Sequence, residues 1–244
     1  MKKLWQLIEK LFGIYRWHPT IALRYLPIVE EIKKIESTDW VLEVGSGGLG
    51  ITPYLQKPVV GVDIAFSPPM HTQLIPVIAS ATQLPFADSS FDVVVSTDML
   101  EHVSKNLRIK AISEMLRVGK KLICIGVPCG KISQAQDGGL AHEYKRTHRE
   151  EFDFFAEHAQ MGLPDKSEIL ETISMEAAKL NKKIMVKNQG ILNIEVRWWL
   201  MKGWISDNWL VNIFFRKVLL LGVPLLKRLN NEPTYRQLFF VTIS

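Results

Sequence analysis

The stretch VLEVGSGGLG at 41–50 restricts the possible folds of this chain more than any other part of it. A short apolar run, long enough for one buried strand, ends in a carboxylate and breaks into glycines, and the helix-compatible segment ITPYLQ follows. Glycine allows a sharp turn and lets a ligand lie against bare backbone, and the N–H groups at a helix start can anchor it. This order predicts the ligand-binding crossover of a doubly wound α/β sheet.

Strands and helices are predicted to alternate from 39 to 128. The predicted strands are WVLEV, PVVGVD, LIPVIA, FDVVVS and KLICIGVP. Near-continuous apolar strands separated by helices indicate a parallel sheet covered on both faces. A helix is predicted near 104–117, with Lys105, Arg108 and Lys110 on its exposed face, whereas Pro68-Pro69 leaves room for barely one helical turn after the second strand.

The pattern changes after Cys129. The polar, glycine-bearing segment 130–148 is typical of a loop over a site. The later predicted elements are helices at 149–161 and 165–180, a strand KIMVKNQGI, a helical insertion at about 195–229 and a last strand YRQLFFVTIS. Residues 1–36 are predicted to form two helices broken near His18-Pro19. The 244 residues suit a single domain, with 1–36 as N-terminal helices, 38–130 as the ligand-binding core and 131–244 as the acceptor side.

Composition excludes several classes of protein. Hydrophobic residues make up 47% and charged residues 23%, which is typical of a folded globular chain. The net charge of +5 is dispersed, so it gives little support for a nucleic acid partner. Cys124 and Cys129 form no metal-like array, which predicts a reduced, cytoplasmic protein. The N-terminus begins like a signal peptide, but Glu9 and Lys10 interrupt its apolar run.

The glycine turn fits two kinds of cofactor, and three further features favour one of them. Gly45, Gly47 and Gly50 with Asp63 fit a dinucleotide fingerprint, although glycine triplets are common. Glu43, however, would repel a pyrophosphate and favour a cationic ligand. The segments ASATQLPFADSSFDVVVSTDMLEHV and LRVGKKLICIGVP resemble signatures of class I S-adenosylmethionine-dependent methyltransferases. Over roughly 38–130 the chain is similar to the small-molecule branch that includes the quinone-biosynthesis enzymes.

That resemblance implies both a fold and a cofactor site. The fold would be a Rossmann-like, doubly wound, seven-stranded, mostly parallel sheet, with an antiparallel last strand inserted beside KIMVKNQGI. The implied cofactor is S-adenosyl-L-methionine. The implied binding residues are Glu43, Gly45, Ser46, Gly47, Asp63, Ile64, Ala81, Thr82, Leu84, Ser96 and Thr97.

Each of these residues has an implied role. Glu43 and the backbone of 45–47 would hold the methionine part, and Asp63 would accept two hydrogen bonds from the ribose hydroxyls. Ile64 would lie against the adenine ring. Ala81 and Thr82 would meet the adenine edge, with Leu84 nearby, while Ser96 and Thr97 would line the floor near the methyl group.

Two departures from the family pattern bear on cofactor binding. Leu49 stands where the third glycine usually lies, and Ser80 replaces an Asp common before the adenine contact. Gly50 can substitute for the glycine through a shifted turn, whereas Ser80 removes a hydrogen bond expected to the adenine amino group. These departures keep open a methyltransferase-like protein that binds the cofactor without catalysis.

Methyl transfer needs a general base only when the acceptor is a hydroxyl that must lose a proton. The candidates near predicted strand ends are Asp98, His102, His142, Tyr144 and His148. His142 or His102 is the predicted base, and His148 is interpreted as a helix cap. No convincing trio of acid and amide ligands for magnesium is visible, so no metal site is predicted.

The insertion at 195–229 bears on the acceptor. It contains Trp198, Trp199, Trp204 and Trp209, and Arg216-Lys217 interrupts its apolar run, which argues against a membrane span. It could form a helical hairpin on the sheet or a homodimer interface, a lid over a lipid-like acceptor, or a peripheral membrane contact. The predicted function is methylation of a small-molecule or lipid- or glycan-linked acceptor; RNA modification is the alternative.

Overall fold

The computed structural model describes residues 19–244, and the first of the two predicted N-terminal helices lies outside them. The seven strands are β1 Val41–Val44, β2 Val59–Asp63, β3 Leu74–Ile78, β4 Phe91–Thr97, β5 Gly119–Pro128, β6 Ile184–Asn193 and β7 Thr234–Ile243. They form one sheet in the order β3-β2-β1-β4-β5-β7-β6. Strands β1 to β5 pair in parallel, whereas β7 is antiparallel to both β5 and β6. The predicted Rossmann-like fold is therefore confirmed, including the insertion of the last strand.

Helices cover both faces of this sheet. The helices of the described chain are α1 Pro19–Ile32, α2 Thr52–Leu55, α3 Lys105–Val118, α4 Gly130–His148, α5 Asp153–Met161, α6 Lys166–Lys179, α7 Ile194–Ile205, α8 Trp209–Arg216 and α9 Val223–Leu226, with 3-10 turns at Leu100–His102 and Val218–Gly222. One core cluster joins α1, α2, α7 and α9 to the sheet, and the other joins α3 and α6 to it. Strand β4 is buried along its whole length, as expected for a central strand covered twice.

The prediction of a loop over 130–148 is wrong, because this segment forms the 19-residue helix α4. Ser133, Asp137 and Leu140 are its buried residues and recur at helical spacing. Two adjacent glycines weaken the sequence signal for a helix, but Gly139 packs against a ring: a Cβ there would lie 3.2 Å from Trp198. Tertiary packing therefore decides this helix.

The placement of Arg108 on an exposed helix face is also wrong. Arg108 is 4% exposed, and its guanidinium donates hydrogen bonds to the carbonyl oxygens of Leu100, Val103, Met161 and Gly162. A buried arginine is accommodated here because backbone oxygens surround its donors. Arg108 thus connects α3 to the turn after β4 and to the end of α5.

Candidate active site

Glu43 fixes the glycine turn from below. Its carboxylate is completely buried; Oε2 accepts a hydrogen bond from the Ile51 N–H at 2.7 Å, and Oε1 accepts one from the Tyr25 hydroxyl at 2.8 Å. A Cβ at Gly50 would lie 1.9 Å from Glu43 Oε2, and Gly50 has a φ of +50°. Only glycine fits this close to the Glu43 carboxylate. Gly50 therefore fills the role of the third glycine of the family pattern, whose usual place is occupied by Leu49.

Burial raises the pKa of Glu43 to about 7, against hydrogen bonds from Ile51 and Tyr25 that lower it. Both carboxylate oxygens have partners inside the protein, so the geometry identifies Glu43 as the support of the turn and of its contact with α1. Direct contact of Glu43 with the methionine part of the cofactor stays a prediction.

Glu43→Gln should flatten the dependence of stability on pH. A folded-state pKa raised from 4.5 to about 7 favours the neutral acid, so this contribution is complete below pH 4.5 and is lost as pH rises through 7. The full effect corresponds to about 3 kcal/mol. Urea unfolding of the ligand-free protein at pH 5 and pH 8 should show a smaller difference for Glu43→Gln than for the wild type, and equal differences would contradict the assignment.

Asp63 ends β2 at the centre of a groove. Its Oδ2 accepts a hydrogen bond from the Gly47 N–H at 2.8 Å, and its Oδ1 accepts one from the Ile64 N–H at 2.8 Å. On one side lies a cavity of about 450 Å³ lined by the glycine turn, with Ser46, and by residues including Tyr25 and Thr97. On the other side lies a cavity of about 300 Å³.

The second cavity has an apolar wall suited to a planar ring. Ile64, 78% exposed, lines it together with Ala81 and Thr82. Both cavities share Gly45, Asp63 and Asp98. A carboxylate at a strand end, with a glycine cradle on one side and an apolar pocket on the other, matches a ribose flanked by a methionine part and an adenine.

The backbone of the turn supports the same fit. Gly45 has a φ of +78°, and a Cβ there would lie 2.6 Å from Met99. No side chain can occupy this place, so the cavity floor is bare backbone where the two halves of the groove meet.

Two of the residues predicted to line the cofactor site lie beneath the groove instead. Leu84 is 4% exposed, and its N–H donates to Glu114 Oε2 at 2.7 Å. Ser96 is 1% exposed, and its hydroxyl donates to the Val44 carbonyl at 3.0 Å. Neither residue lines the two cavities of the groove. Both support the groove from within the core, whereas Ser46 and Thr97 line its first cavity.

Asp98 joins the groove to a third cavity. It follows β4 with a φ of +50°, and its carboxylate accepts hydrogen bonds from Arg236 at 2.6 and 2.5 Å and also pairs with Arg24. Despite burial, these two guanidinium groups hold the pKa of Asp98 well below its ordinary range. Asp98 lines all three cavities, including one of about 550 Å³ that also contains both arginines.

The two predicted bases lie in different environments. His102 lines the cavity of about 300 Å³ that has the apolar wall, and its Nδ1 lies 2.5 Å from Glu157 Oε2. His142 lies on the exposed face of α4 and lines none of the three cavities around Asp98. His148, predicted as a cap, instead ends α4, with Nε2 2.8 Å from the Ile205 carbonyl. A base role for His102 or His142 stays a prediction.

Sequence reasoning missed the residues around Asp98. Arg24 and Tyr25 lie in a helix recognisable only as an apolar cover, and Arg236 lies in the last strand. No motif marked them. The one available signal was an arginine in a strand predicted to lie inside the sheet, since a buried arginine requires an anionic partner or carbonyl oxygens.

The comparisons with known proteins agree with this geometry. Residues 42–122 match a family described as a methyltransferase domain. No curated protein is similar enough in sequence to give a significant match.

Solved structures share the fold at low identity. One is the chain assigned as a methyltransferase in a Haloferax volcanii complex with the methyltransferase activator Trm112, with 14% identity, a TM-score of 0.53 and coverage of 90% of this chain and 88% of that one. A second is phosphoethanolamine N-methyltransferase 2 of Haemonchus contortus in complex with S-adenosyl-L-methionine, with 17% identity, a TM-score of 0.52 and coverage of 89% and 51%.

A third solved structure matches along the entire length of both chains. It is an S-adenosylmethionine-dependent methyltransferase from Thermotoga maritima, with 14% identity and a TM-score of 0.51. At these identities the likeness establishes the fold, and the matched domain contains the glycine turn, Asp63 and Asp98. The domain match makes residues 42–122 a methyltransferase domain, the described chain has the seven-stranded methyltransferase fold, and the groove fits S-adenosylmethionine as its cofactor.

Proposed function

We propose that the chain methylates an acceptor that carries an anionic group next to an apolar part, either a small molecule or a lipid- or glycan-linked compound. The observation that carries the proposal is the 550 Å³ cavity that meets the cofactor groove at Asp98. Its cationic lining residues are Arg24, Arg197, Arg216, Lys217 and Arg236.

The carboxylates at this cavity do not balance its cations. Asp98 pairs with Arg24 and Arg236, and Arg197 donates to Asp137 Oδ1 at 2.6 Å. Two carboxylates therefore pair with three guanidinium groups among these described residues, which leaves an excess of positive charge. An anionic group entering here would gain charge-assisted hydrogen bonds in a place partly shielded from water.

The rest of the lining is apolar and aromatic. Phe152, Phe154, Met201 and Trp204 form one wall, and Ile21 and Leu192 contribute to the others. Such walls bury the apolar part of an acceptor while the cations orient its charged end. S-adenosylmethionine supplies an electrophilic methyl group, so the residues here need only align the acceptor and exclude water. Neither His102 nor His142 lines this cavity, and the proposal requires no base from them.

Matched acceptors test the proposal. Pairs of compounds that differ only in a phosphate or carboxylate should be incubated with the protein and radiolabelled cofactor. Label is expected in the anionic member, and transfer to RNA or to the neutral members alone would overturn the proposal. Cofactor binding with no transfer to any acceptor would favour the non-catalytic alternative.

Arg216→Gln should weaken acceptor binding without affecting the cofactor. Arg216 lies at the cavity with its guanidinium 5.4 Å from the Trp204 ring centroid. Loss of one charge-assisted contact, worth about 1.5–3 kcal/mol, should raise KM for an anionic acceptor roughly tenfold or more. Arg228→Gln, at an exposed arginine that does not line the cavity, is the matched control and should leave KM unchanged.

The segment 209–226 is proposed as the route by which a lipid-like acceptor arrives. Among the described residues it is the one stretch long and apolar enough to cross a membrane by length and composition, with a mean hydropathy of 1.7 and 11% of it buried. It is broken into α8, a 3-10 turn and α9, and Val223 and Leu226 pack into the core. We therefore propose that the exposed apolar side chains of this segment, including Trp209 and Leu221, contact an anionic lipid surface, since Arg216 and Lys217 of the same segment line the cavity.

Vesicle flotation tests this contact. Trp209 and Leu221 are 66% and 87% exposed, and replacing both by Ser should lower binding to anionic vesicles at least about tenfold, since each buried apolar side chain contributes about 1.5–3 kcal/mol. The control replaces Ile78 and Met185, which are comparably exposed outside this segment. No flotation of the wild type at low salt would remove the proposal. A doubled mass that the Trp209 and Leu221 changes abolish would assign the face to a second copy of the chain.

A further inference from the structure

Glu101 is a buried carboxylate that the methyl-transfer site does not use. It lies in the 3-10 turn after β4, is completely buried, and neither side-chain oxygen has a hydrogen-bond partner in the described part of the chain. An ionised carboxylate without a partner costs several kcal/mol to bury. A proton or a cation must therefore accompany Glu101 in the folded protein.

His158 of α5 faces this carboxylate with an unused nitrogen. Its Nδ1 lies 2.8 Å from Asp137 Oδ2, while its Nε2 is buried, has no hydrogen-bond partner in residues 19–244 and lies 3.9 Å from Glu101 Oε1. Asp137 is itself held by Arg197 and by the Tyr235 hydroxyl. A carboxylate that fixes one nitrogen of a histidine and leaves the other available is the arrangement that orients metal-binding histidines.

His102 completes the group. Its Nδ1 contacts the carboxylate of Glu157, and its ring lies 5.2 Å from the ring of His158. One donor atom each of Glu101, His102 and His158 lies within 4.8 Å of the others. Donors around an ion with bonds of about 2.1 Å lie roughly 3–3.5 Å apart, so side-chain rotations of about an ångström would close the set.

We propose that Glu101, His102 and His158 bind one divalent transition-metal ion. Two imidazoles and one carboxylate suit zinc, cobalt, manganese or iron(II) better than calcium or magnesium, which prefer oxygen ligands. The ion supplies the positive charge that the buried Glu101 lacks. Glu101 and His102 follow β4, and His158 belongs to α5. The ion therefore also joins the turn beside the cofactor groove to the helix next to the 550 Å³ cavity, here called the acceptor cavity.

The site lies behind both cavities. His102 lines the adenine side of the groove, while the Phe154 ring, 4.0 Å from the His158 ring, lines the acceptor cavity. The ion would therefore hold the two cavities in register. This role can be tested by metal binding and by the stability of the protein, and it does not depend on which acceptor is methylated.

The test uses the full chain, treated with a chelator and then titrated with Zn²⁺, Mn²⁺ and Co²⁺. We expect one ion per chain by elemental analysis, visible absorption bands on addition of Co²⁺, and a raised melting temperature. Glu101→Gln and His158→Asn should each lower metal affinity by about a hundredfold or more, since even residues beyond the ligands typically contribute 10–100-fold. His142→Asn, at an exposed histidine of α4 outside the set, is the control and should bind like the wild type.

Each result decides the proposal. S-adenosylhomocysteine binding is measured in parallel to show that every variant is folded, and the cobalt spectrum of the wild type does not depend on any variant. Folded wild type that takes up no metal would overturn the proposal and leave Glu101 as a protonated acid beside His158. One bound ion that persists in both ligand variants would overturn the choice of residues.

Discussion

Asp98→Asn is expected to give the largest loss of both stability and turnover in this protein. The Asp98 side chain is 10% exposed and pairs with Arg24 and Arg236, which are 17% and 7% exposed. Removing the shared anion of a buried cluster leaves two uncompensated guanidinium groups, and such changes cost about 3–5 kcal/mol. Asparagine keeps the shape of the side chain and tolerates the positive φ of this position, so the change isolates the charge.

The loss of turnover follows from the position of Asp98 in the molecule. It is the carboxylate at which the cofactor groove and the acceptor cavity meet, and it positions Arg24 and Arg236 in the cavity wall. Releasing both arginines should misalign the acceptor by an ångström or more, which corresponds to roughly a hundredfold loss in kcat/KM. Urea unfolding and steady-state kinetics measure the two effects.

Asp88→Asn is the matched control for this experiment. Asp88 also pairs with an arginine, Arg117, but its side chain is 76% exposed, and exposed pairs contribute about 0–1 kcal/mol. If Asp98→Asn lowers the free energy of unfolding no more than Asp88→Asn does, the buried cluster does not stabilise the fold.

The pH dependence gives a second check on Asp98. Its pKa is lowered in the folded state by two guanidinium groups, so its contribution to stability is present above the ordinary pKa of about 3.9 and is lost as pH falls below it. The difference in unfolding free energy between wild type and Asp98→Asn should therefore be constant from pH 5 to 7 and shrink below pH 4.

Asp63→Asn is expected to abolish most of the cofactor affinity. The carboxylate stands where two ribose hydroxyls would donate to it, and each charge-assisted bond contributes about 1.5–3 kcal/mol. Asparagine replaces one of the two acceptor oxygens by an NH2 donor and removes the charge, so the affinity for S-adenosylhomocysteine should fall by about a hundredfold, which calorimetry measures. Asparagine can still accept the hydrogen bond from the Gly47 N–H through its remaining oxygen, which limits damage to the turn.

Two controls make that result specific. Glu171→Gln, at an exposed carboxylate of α6, should bind S-adenosylhomocysteine like the wild type. At pH 8, NADH should bind neither to the wild type nor to Asp63→Asn, since Glu43 under the turn is then largely ionised and would repel a pyrophosphate. An affinity of Asp63→Asn within threefold of the wild type would show that the ribose is held elsewhere.

The sequence alone predicted the parts of this fold that depend on local pattern. Apolar runs of strand length, the glycine turn and the acid ending β2 each depend on neighbouring residues, so their types and order could be recognised without a partner. The burial of Leu84 and Ser96 below the groove could not, since Leu84 lies in a loop and Ser96 at the end of a predicted strand, where either residue could equally line a ligand site.

Only the tertiary structure decided which distant residues meet. Arg24 and Asp98 are 74 positions apart, Asp98 and Arg236 are 138 apart, and His158 reaches Glu101 from another helix. Helix α4 forms although two glycines weaken it, because Trp198 packs over Gly139. Arg108 is buried because carbonyl oxygens of other segments surround it. Periodicity reports which face of an element is apolar, but the energy of a buried charge depends on groups that the fold alone brings within reach.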